Sequence, residues 1–89
     1  MTDVPSTIRV LVAEDNALER STLVDLLNAL GHMVVAEVAS GAEAIEHARQ
    51  LTPDAVLLDV HMPGASGVEA AEEIAHALPG TAVVLITGD

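Results

Sequence analysis

Four short apolar runs alternate with three amphipathic stretches, and this alternation constrains the fold of the 89-residue chain more than any other feature. The runs are rich in Val, Ile, Leu and Ala, as expected of strands that helices cover on both faces of a parallel sheet. The stretches between them carry apolar residues at helical spacing. The pattern predicts strands at residues 8–13, 33–39, 55–58 and 81–87, and helices at residues 17–30, 42–51 and 68–78.

Capping and breaking residues punctuate the same pattern. Asn16 precedes the first helix and Gly31 follows it, and Ser40 and Glu43 have the spacing of a capping box before the second. Pro53 prevents that second helix from continuing. Strands joined by single helices are parallel with right-handed crossovers, so we predict an α/β fold with a doubly wound parallel sheet. No linker or repeat divides the chain, which predicts one domain over residues 1–89.

The composition excludes several classes of function. The chain has no cysteine, so neither a disulfide scaffold nor a thiolate metal site is expected. Three arginines against fourteen acidic residues, with no aromatic side chain, argue against direct nucleic-acid binding and against anionic membranes. No signal peptide and no apolar window long enough to span a bilayer are recognisable, so we expect a cytoplasmic location.

Acidic and hydroxyl side chains follow three of the predicted strands. Glu14 and Asp15 follow the first strand, Asp59 the third, and Thr87 ends the fourth. In open α/β sheets ligands bind beyond the carboxyl ends of the strands, where these side chains are expected to meet. Carboxylates gathered there repel one another unless a divalent cation neutralises them, and hard oxygen ligands favour Mg²⁺. Taken alone, Glu14 and Asp15 fit an ordinary acidic helix start better than a metal site. Asp59, expected opposite this pair, reverses the preference in favour of the metal site.

Asp59 is the candidate nucleophile of this edge. A carboxylate beside Mg²⁺ can attack phosphorus to form an aspartyl phosphate. Pro63 and Gly64 predict a turn that leaves room above Asp59. The hydroxyl of Thr87 is placed to donate to a phosphoryl oxygen.

These motifs together resemble the receiver domain of bacterial two-component response regulators. The resemblance rests on VAEDN at residues 12–16, on LLDVHMPG at residues 57–64 with the later Gly67, and on Ile86 and Thr87. It implies a flavodoxin-like receiver fold and a Mg²⁺ site formed by Glu14, Asp15, Asp59 and the backbone carbonyl of His61. It further implies that Asp59 accepts a phosphoryl group from a phosphohistidine of a sensor histidine kinase, in a reaction that the receiver itself catalyses. The chain would then be a signalling domain and not an enzyme with a separate substrate.

The sequence around the first helix and the Pro-Gly-Thr before the fourth strand resemble those of receivers that are fused to a helix-turn-helix output. This implies regulation of transcription. An aspartyl-phosphate phosphatase usually has a second acid two residues after its nucleophile, and His61 in that position argues against one.

The sequence also departs from the family pattern. Receivers continue through a fourth helix, a fifth strand carrying an aromatic residue, and a fifth helix, with a lysine that contacts the phosphoryl group. This sequence stops after the fourth strand and contains neither lysine nor aromatic residues, which suggests a truncated receiver. We therefore expect an exposed apolar fourth strand that pairs with a second copy, edge to edge or by exchange of an element. The alternative function is a non-phosphorylated interaction or dimerisation module.

The remaining polar residues predict no site of their own. Arg9, Arg20 and Arg49 are expected to be surface charges, and Arg20 on the first helix could contact a kinase. The four histidines lack ligand spacing and are expected to be structural. They are His32, His47, His61 and His76.

Overall fold

The computed structural model describes residues 7–62 and 66–87. Its strands are β1 (Arg9–Ala13), β2 (Met33–Val38), β3 (Ala55–Asp59) and β4 (Ala82–Ile86), and its helices are α1 (Ala17–Ala29), α2 (Gly41–Leu51) and α3 (Gly67–Ala77). Every predicted element is present, with ends within one residue of the predicted ones. The predicted turn at Pro63 and Gly64 lies outside the described residues.

All strand pairs are parallel, and they form one sheet in the order β2-β1-β3-β4. The first and third strands are therefore internal, which brings their carboxyl ends side by side. In the described part of the chain, β4 forms one edge of the sheet. This architecture confirms the predicted doubly wound parallel sheet.

The sheet has two faces that differ in packing, because side chains alternate along each strand. One face packs against α2 and α3, and we call it the closed face. Its core is a continuous cluster of buried side chains: Leu11, Ala13, Val38, Ala44, Ala48, Val56, Leu58, Met62, Ala70, Ala71 and Ile74. The other face, which we call the open face, lies on the side of α1. Its buried residues are Val10, Val12 and Ala55, bordered by half-buried Leu23, Val24, Leu27 and Leu57.

The four leucines at helical spacing on α1 differ in burial. Leu23 and Leu27 are half-buried, whereas Leu26 and Leu30 are 55% and 61% exposed. The helix contacts β1 and β2. The side of α1 turned away from these two strands therefore has no element of the described chain packed against it, which leaves Leu26 and Leu30 exposed.

The helix caps partly match the prediction. The side chain of Asn16 accepts a hydrogen bond from the amide of Glu19, and Gly31 has a φ of +88° just after α1, both as predicted. Ser40 also caps α2 by accepting from the amide of Glu43. The Glu43 carboxylate, however, accepts from the Ser40 hydroxyl and the Ala39 amide, so the predicted reciprocal capping box is incomplete.

A complete capping box occurs instead before α3. The Ser66 hydroxyl accepts from the amide of Glu69, and the Glu69 carboxylate accepts from the amide of Ser66. The prediction missed it because it started the helix one residue late, at Val68.

Arg9 is half-buried, so the expectation of a simple surface charge was wrong. Its guanidinium donates to the carbonyls of Leu51 and Thr52 at 2.8 and 3.0 Å, where α2 ends. Cations are favoured at helix carboxyl ends, which expose unpaired carbonyls. Arg9 thus ties the start of β1 to the connection between α2 and β3. None of the helices within residues 7–62 and 66–87 has the length and apolarity needed to cross a membrane.

Candidate metal centre

Three carboxylates meet where β1 and β3 end. Glu14 follows β1 and Asp59 ends β3, and the two strands pair in parallel, so their carboxyl ends are neighbours. Ligand oxygens of Glu14, Asp15 and Asp59 all lie within 4.8 Å of one another. Glu14 and Asp59 are only 3% and 5% exposed, whereas Asp15 is exposed. By strand alternation, Glu14 continues the row of Val10 and Val12, so this acidic trio stands at the end of the open face.

Backbone amides hold the two buried carboxylates. One oxygen of Glu14 accepts from the amide of Asn16 at 3.0 Å, and one oxygen of Asp59 accepts from the amide of His61 at 3.0 Å. The amide of Glu14 itself donates to the carbonyl of Val38 at the end of β2. The turns that follow β1 and β3 therefore fix where these two side chains point.

The trio is electrostatically costly in the absence of a cation. The pKa of Glu14 is raised from 4.5 to about 7, first because burial disfavours its charged form. Hydrogen bonding to Asp15 and Asp59 and the negative charge of Asp59 raise it further, while the Asn16 amide lowers it. A cation between these groups would favour the charged form of all three.

The donor set fits a hard divalent cation. It consists of carboxylate oxygens alone, two of them buried and turned toward each other, with no softer ligand among the three residues. Mg²⁺ and similar ions are bound in this way through a few carboxylates and retained waters. Glu14, Asp15 and Asp59 are the residues that would hold it.

Gly67, the first residue of α3, allows this helix to approach the backbone of Asp59 closely. A Cβ atom at this position would overlap the carbonyl oxygen of Asp59, and the Gly67 amide donates to the carbonyl of Val60 at 3.3 Å. A side chain here would displace either α3 or the peptide of Asp59. In the sequence, Gly67 was notable only as one of the residues that carry the family resemblance. Nothing in the sequence pattern predicted its contact with Asp59.

The other two predicted site residues lie at the rim. Thr87 is exposed and borders a groove of about 400 Å³ that Glu14, Leu18 and Ile86 also line. His61 is exposed, and its described contact to Asp59 is made through its amide. Its carbonyl as a metal ligand, and Thr87 as a phosphoryl contact, stay predictions.

Arg20 contacts the acidic trio through the backbone of Glu14, a contact that the sequence did not predict. Its guanidinium donates to the backbone carbonyl of Glu14 at 2.8 Å and lies 4.0 Å from the carboxylate of Glu37, and its side chain is only 24% exposed. The expectation of a surface charge was therefore wrong for Arg20. Its main partner is a backbone carbonyl, which no sequence motif marks.

The fold and this acidic site define a response regulator receiver domain. The family model described as the response regulator receiver domain matches residues 10–89, and the chain belongs to this family.

Individual relatives with similar sequences are transcriptional regulatory proteins. The chain is 46% identical over 77 residues to the transcriptional regulatory protein PdtaR of Mycobacterium tuberculosis, covering 86% of this chain and 38% of that protein. It is 43% identical over 81 residues to the transcriptional regulatory protein YxjL of Bacillus subtilis, covering 90% and 37%. The chain thus spans well under half the length of these relatives.

Solved structures place the fold in the same family. The signal receiver domain of the response regulator NarL from M. tuberculosis superimposes with a TM-score of 0.87 at 37% identity, covering 96% of this chain and 69% of that one. The response regulator domain of Thermotoga maritima CheB gives a TM-score of 0.82 at 34% identity, covering 91% and 60%.

Proposed function

We propose that this chain is a Mg²⁺-dependent phosphoacceptor in which Asp59 takes a phosphoryl group from the phosphohistidine of a sensor histidine kinase. The observation that carries the proposal is the acidic trio, in which a buried Asp59 carboxylate lies within 4.8 Å of two further carboxylates. Oxygen-only ligands around a strand-end aspartate suit phosphoryl transfer to that aspartate. The chain acts as a signalling domain, with no enzymatic activity beyond its own modification and dephosphorylation.

An oxygen of Asp59 forms a bond to phosphorus while the bond between phosphorus and the imidazole nitrogen of the kinase breaks, and the imidazole leaves. A Mg²⁺ ion held by Glu14, Asp15 and Asp59 would neutralise charge on the phosphoryl oxygens. The Thr87 hydroxyl donates to one of these oxygens. Water later cleaves the acyl phosphate, which restores Asp59 and releases phosphate.

For the whole protein we propose a cytoplasmic transcriptional regulator with a helix-turn-helix output. The names of PdtaR and YxjL as transcriptional regulatory proteins support this, as does a structural neighbour described as a response regulator of the LuxR family, with a TM-score of 0.87. Nucleic-acid binding is assigned to the output and not to this acidic segment, which carries a formal charge of -11.

Phosphorylation by a small phosphodonor tests the proposal. The chain is incubated with Mg²⁺ and acetyl phosphate, and intact-mass spectrometry is expected to detect one added phosphoryl group that hydroxylamine removes. Asp59→Asn should abolish the addition. Asp25→Asn, which changes an exposed carboxylate on α1, should leave it intact. A chain that is folded by circular dichroism, binds Mg²⁺ and gains no phosphoryl group would contradict the phosphoacceptor role.

The second candidate is a non-phosphorylated interaction or dimerisation module. Strand β4 favours it, because this edge strand exposes apolar side chains, with Val84 at 44% and Leu85 at 43%. Two chains would pair along β4 or exchange an element. Sedimentation equilibrium should then show a dimer, and a stable monomer at high concentration contradicts this pairing.

A further inference from the structure

Arg20 contacts the metal centre through the backbone of one of its ligands. We propose that Arg20 is a positioning residue that fixes the β1–α1 turn so that Glu14 and Asp15 present their carboxylates to a divalent cation. This inference rests on the proposed metal site and adds to it a residue that is not itself a ligand.

The hydrogen bonds around Glu14 carry the argument. The Glu14 amide donates to Val38 of β2, its carboxylate accepts from Asn16, and its carbonyl accepts from Arg20. Arg20 is in turn one helical turn beyond Asn16, and its amide donates to the Asn16 carbonyl at 2.9 Å. The guanidinium therefore closes a ring of contacts that joins the end of β1 to the first turn of α1.

Glu37 is a second neighbour of the Arg20 guanidinium. Its carboxylate, on edge strand β2, lies 4.0 Å from the Arg20 side chain, and it is half-exposed at 49%. A pair this exposed contributes little stability of its own. Its effect is to limit the orientations of a partly buried side chain whose planar donors already reach the Glu14 carbonyl.

Charge and geometry predict opposite effects of removing Arg20. A guanidinium beside a cation site repels the incoming cation, so the field alone makes binding tighter when the charge is lost. Loss of positioning makes binding weaker, since residues that orient metal ligands typically contribute about 10- to 100-fold in metal affinity. The direction of the change therefore distinguishes a positioning residue from a nearby charge.

The test compares Mg²⁺ affinity in Arg20→Gln, Arg20→Lys and wild type by isothermal titration calorimetry, at a temperature where each is fully folded by circular dichroism. Arg49→Gln is the matched control, because it removes the same charge from an exposed residue in the last turn of α2. We expect Arg20→Gln to bind Mg²⁺ about tenfold more weakly. Arg20→Lys, which keeps the charge but loses the planar fork, should lie between it and wild type, and Arg49→Gln should match wild type.

Equal or tighter Mg²⁺ binding by Arg20→Gln overturns the positioning role. If Arg20→Gln does not fold, Arg20→Lys decides: weaker binding at unchanged charge supports the role, and wild-type affinity overturns it. A wild-type chain that binds no Mg²⁺ overturns both this inference and the metal site. A wild-type chain that binds Mg²⁺ without accepting phosphoryl contradicts the proposed phosphoacceptor function alone.

Discussion

The closed and open faces of the sheet are built from alternate residues of the same strands, yet they differ in how completely they are covered. On the closed face, α2 and α3 bury Leu11, Val56 and Leu58 entirely. On the open face, α1 contributes no fully buried residue, and the side chains that it packs on the sheet are only half-buried. The acidic trio stands at the end of the open face. One face therefore provides the packing, and the other provides access to the carboxylates.

This division explains how a small chain tolerates buried acids. Clustered carboxylates destabilise a fold that has nothing to neutralise them. The closed face supplies a continuous aliphatic core that offsets this cost. The groove lined by Leu18, Ile86 and Thr87 meanwhile keeps Glu14 within reach of small solutes.

The largest expected effect comes from truncating a leucine of the closed-face core, which we compare with truncating a leucine on the outer side of α1. Leu58→Ala on the closed face should lower the free energy of unfolding by about 2–5 kcal/mol, since it leaves a cavity in a fully packed core. Leu26→Ala, 55% exposed on α1, should change it by about 0.5 kcal/mol or less. Urea unfolding followed by far-ultraviolet circular dichroism measures both. Equal losses would contradict the difference in packing between the closed-face core and the outer side of α1.

Glu14→Gln tests the acidic end of the open face. Because the pKa of Glu14 is about 7 in the fold and 4.5 without it, the folded state binds more protons between these values. Metal-free stability should therefore fall as the pH rises from about 4.5 to 7 and level off above. The loss is roughly 3 kcal/mol, at about 1.4 kcal/mol per pKa unit.

Glu14→Gln should remove most of this dependence of the free energy of unfolding on pH. Without metal at pH 8, the variant should be more stable than wild type. Urea unfolding at several pH values, in the presence of a chelator, measures it. Glu46→Gln, exposed on α2, is the control and should retain the slope. An unchanged slope in Glu14→Gln would show that other groups cause the pH dependence.

Gly67→Ala tests the contact between α3 and the backbone of Asp59, one residue of the acidic trio. The added methyl group meets the Asp59 carbonyl, a backbone atom, so unfolding should become about 1–3 kcal/mol easier. Gly80→Ala is the matched control, because no atom lies within 4 Å of the added carbon there. Thermal unfolding of the two variants compares them. Equal stability would mean that α3 moves away without cost.

The smallest expected effect comes from replacing one methyl group by a hydroxyl on an exposed strand, compared with the same replacement in the buried core. Val84→Thr on the exposed edge strand should change the free energy of unfolding by about 0.5 kcal/mol or less and reduce any self-association. Val56→Thr on the closed face should cost about 1–3 kcal/mol, since it buries a hydroxyl in an aliphatic cluster. Chemical denaturation measures the two costs, and sedimentation measures the association.

Much of this architecture could be predicted because it depends on local periodicity. Runs of β-branched residues mark the strands, helical spacing marks the helices, and parallel pairing brings Glu14 and Asp59 to one edge. The predicted trio of carboxylates is therefore found together in the structure.

The contacts of the arginines could not be predicted in the same way. Arg9 reaches Leu51 across 42 residues, and Arg20 reaches the carbonyl of Glu14, so both bind backbone atoms that every residue carries. Helical spacing likewise groups Leu26 with Leu23 and Leu27 on α1, although Leu26 is exposed and the other two are half-buried. Helical spacing indicates that a helix has an apolar side. It does not predict how much of that side another element covers.

The central place of β1 has a consequence during synthesis. Of the four described strands β1 is made first, yet it pairs with β3, and its start is hydrogen-bonded to Asp54, 45 residues later. At about 5–20 residues per second, β1 waits roughly 2–9 seconds for that neighbour. In the finished fold Val10, Leu11 and Val12 are almost entirely buried. During translation they form an unprotected apolar segment that only β2 and the first two helices can shelter, and we expect this interval to be the chain's main exposure to chaperones.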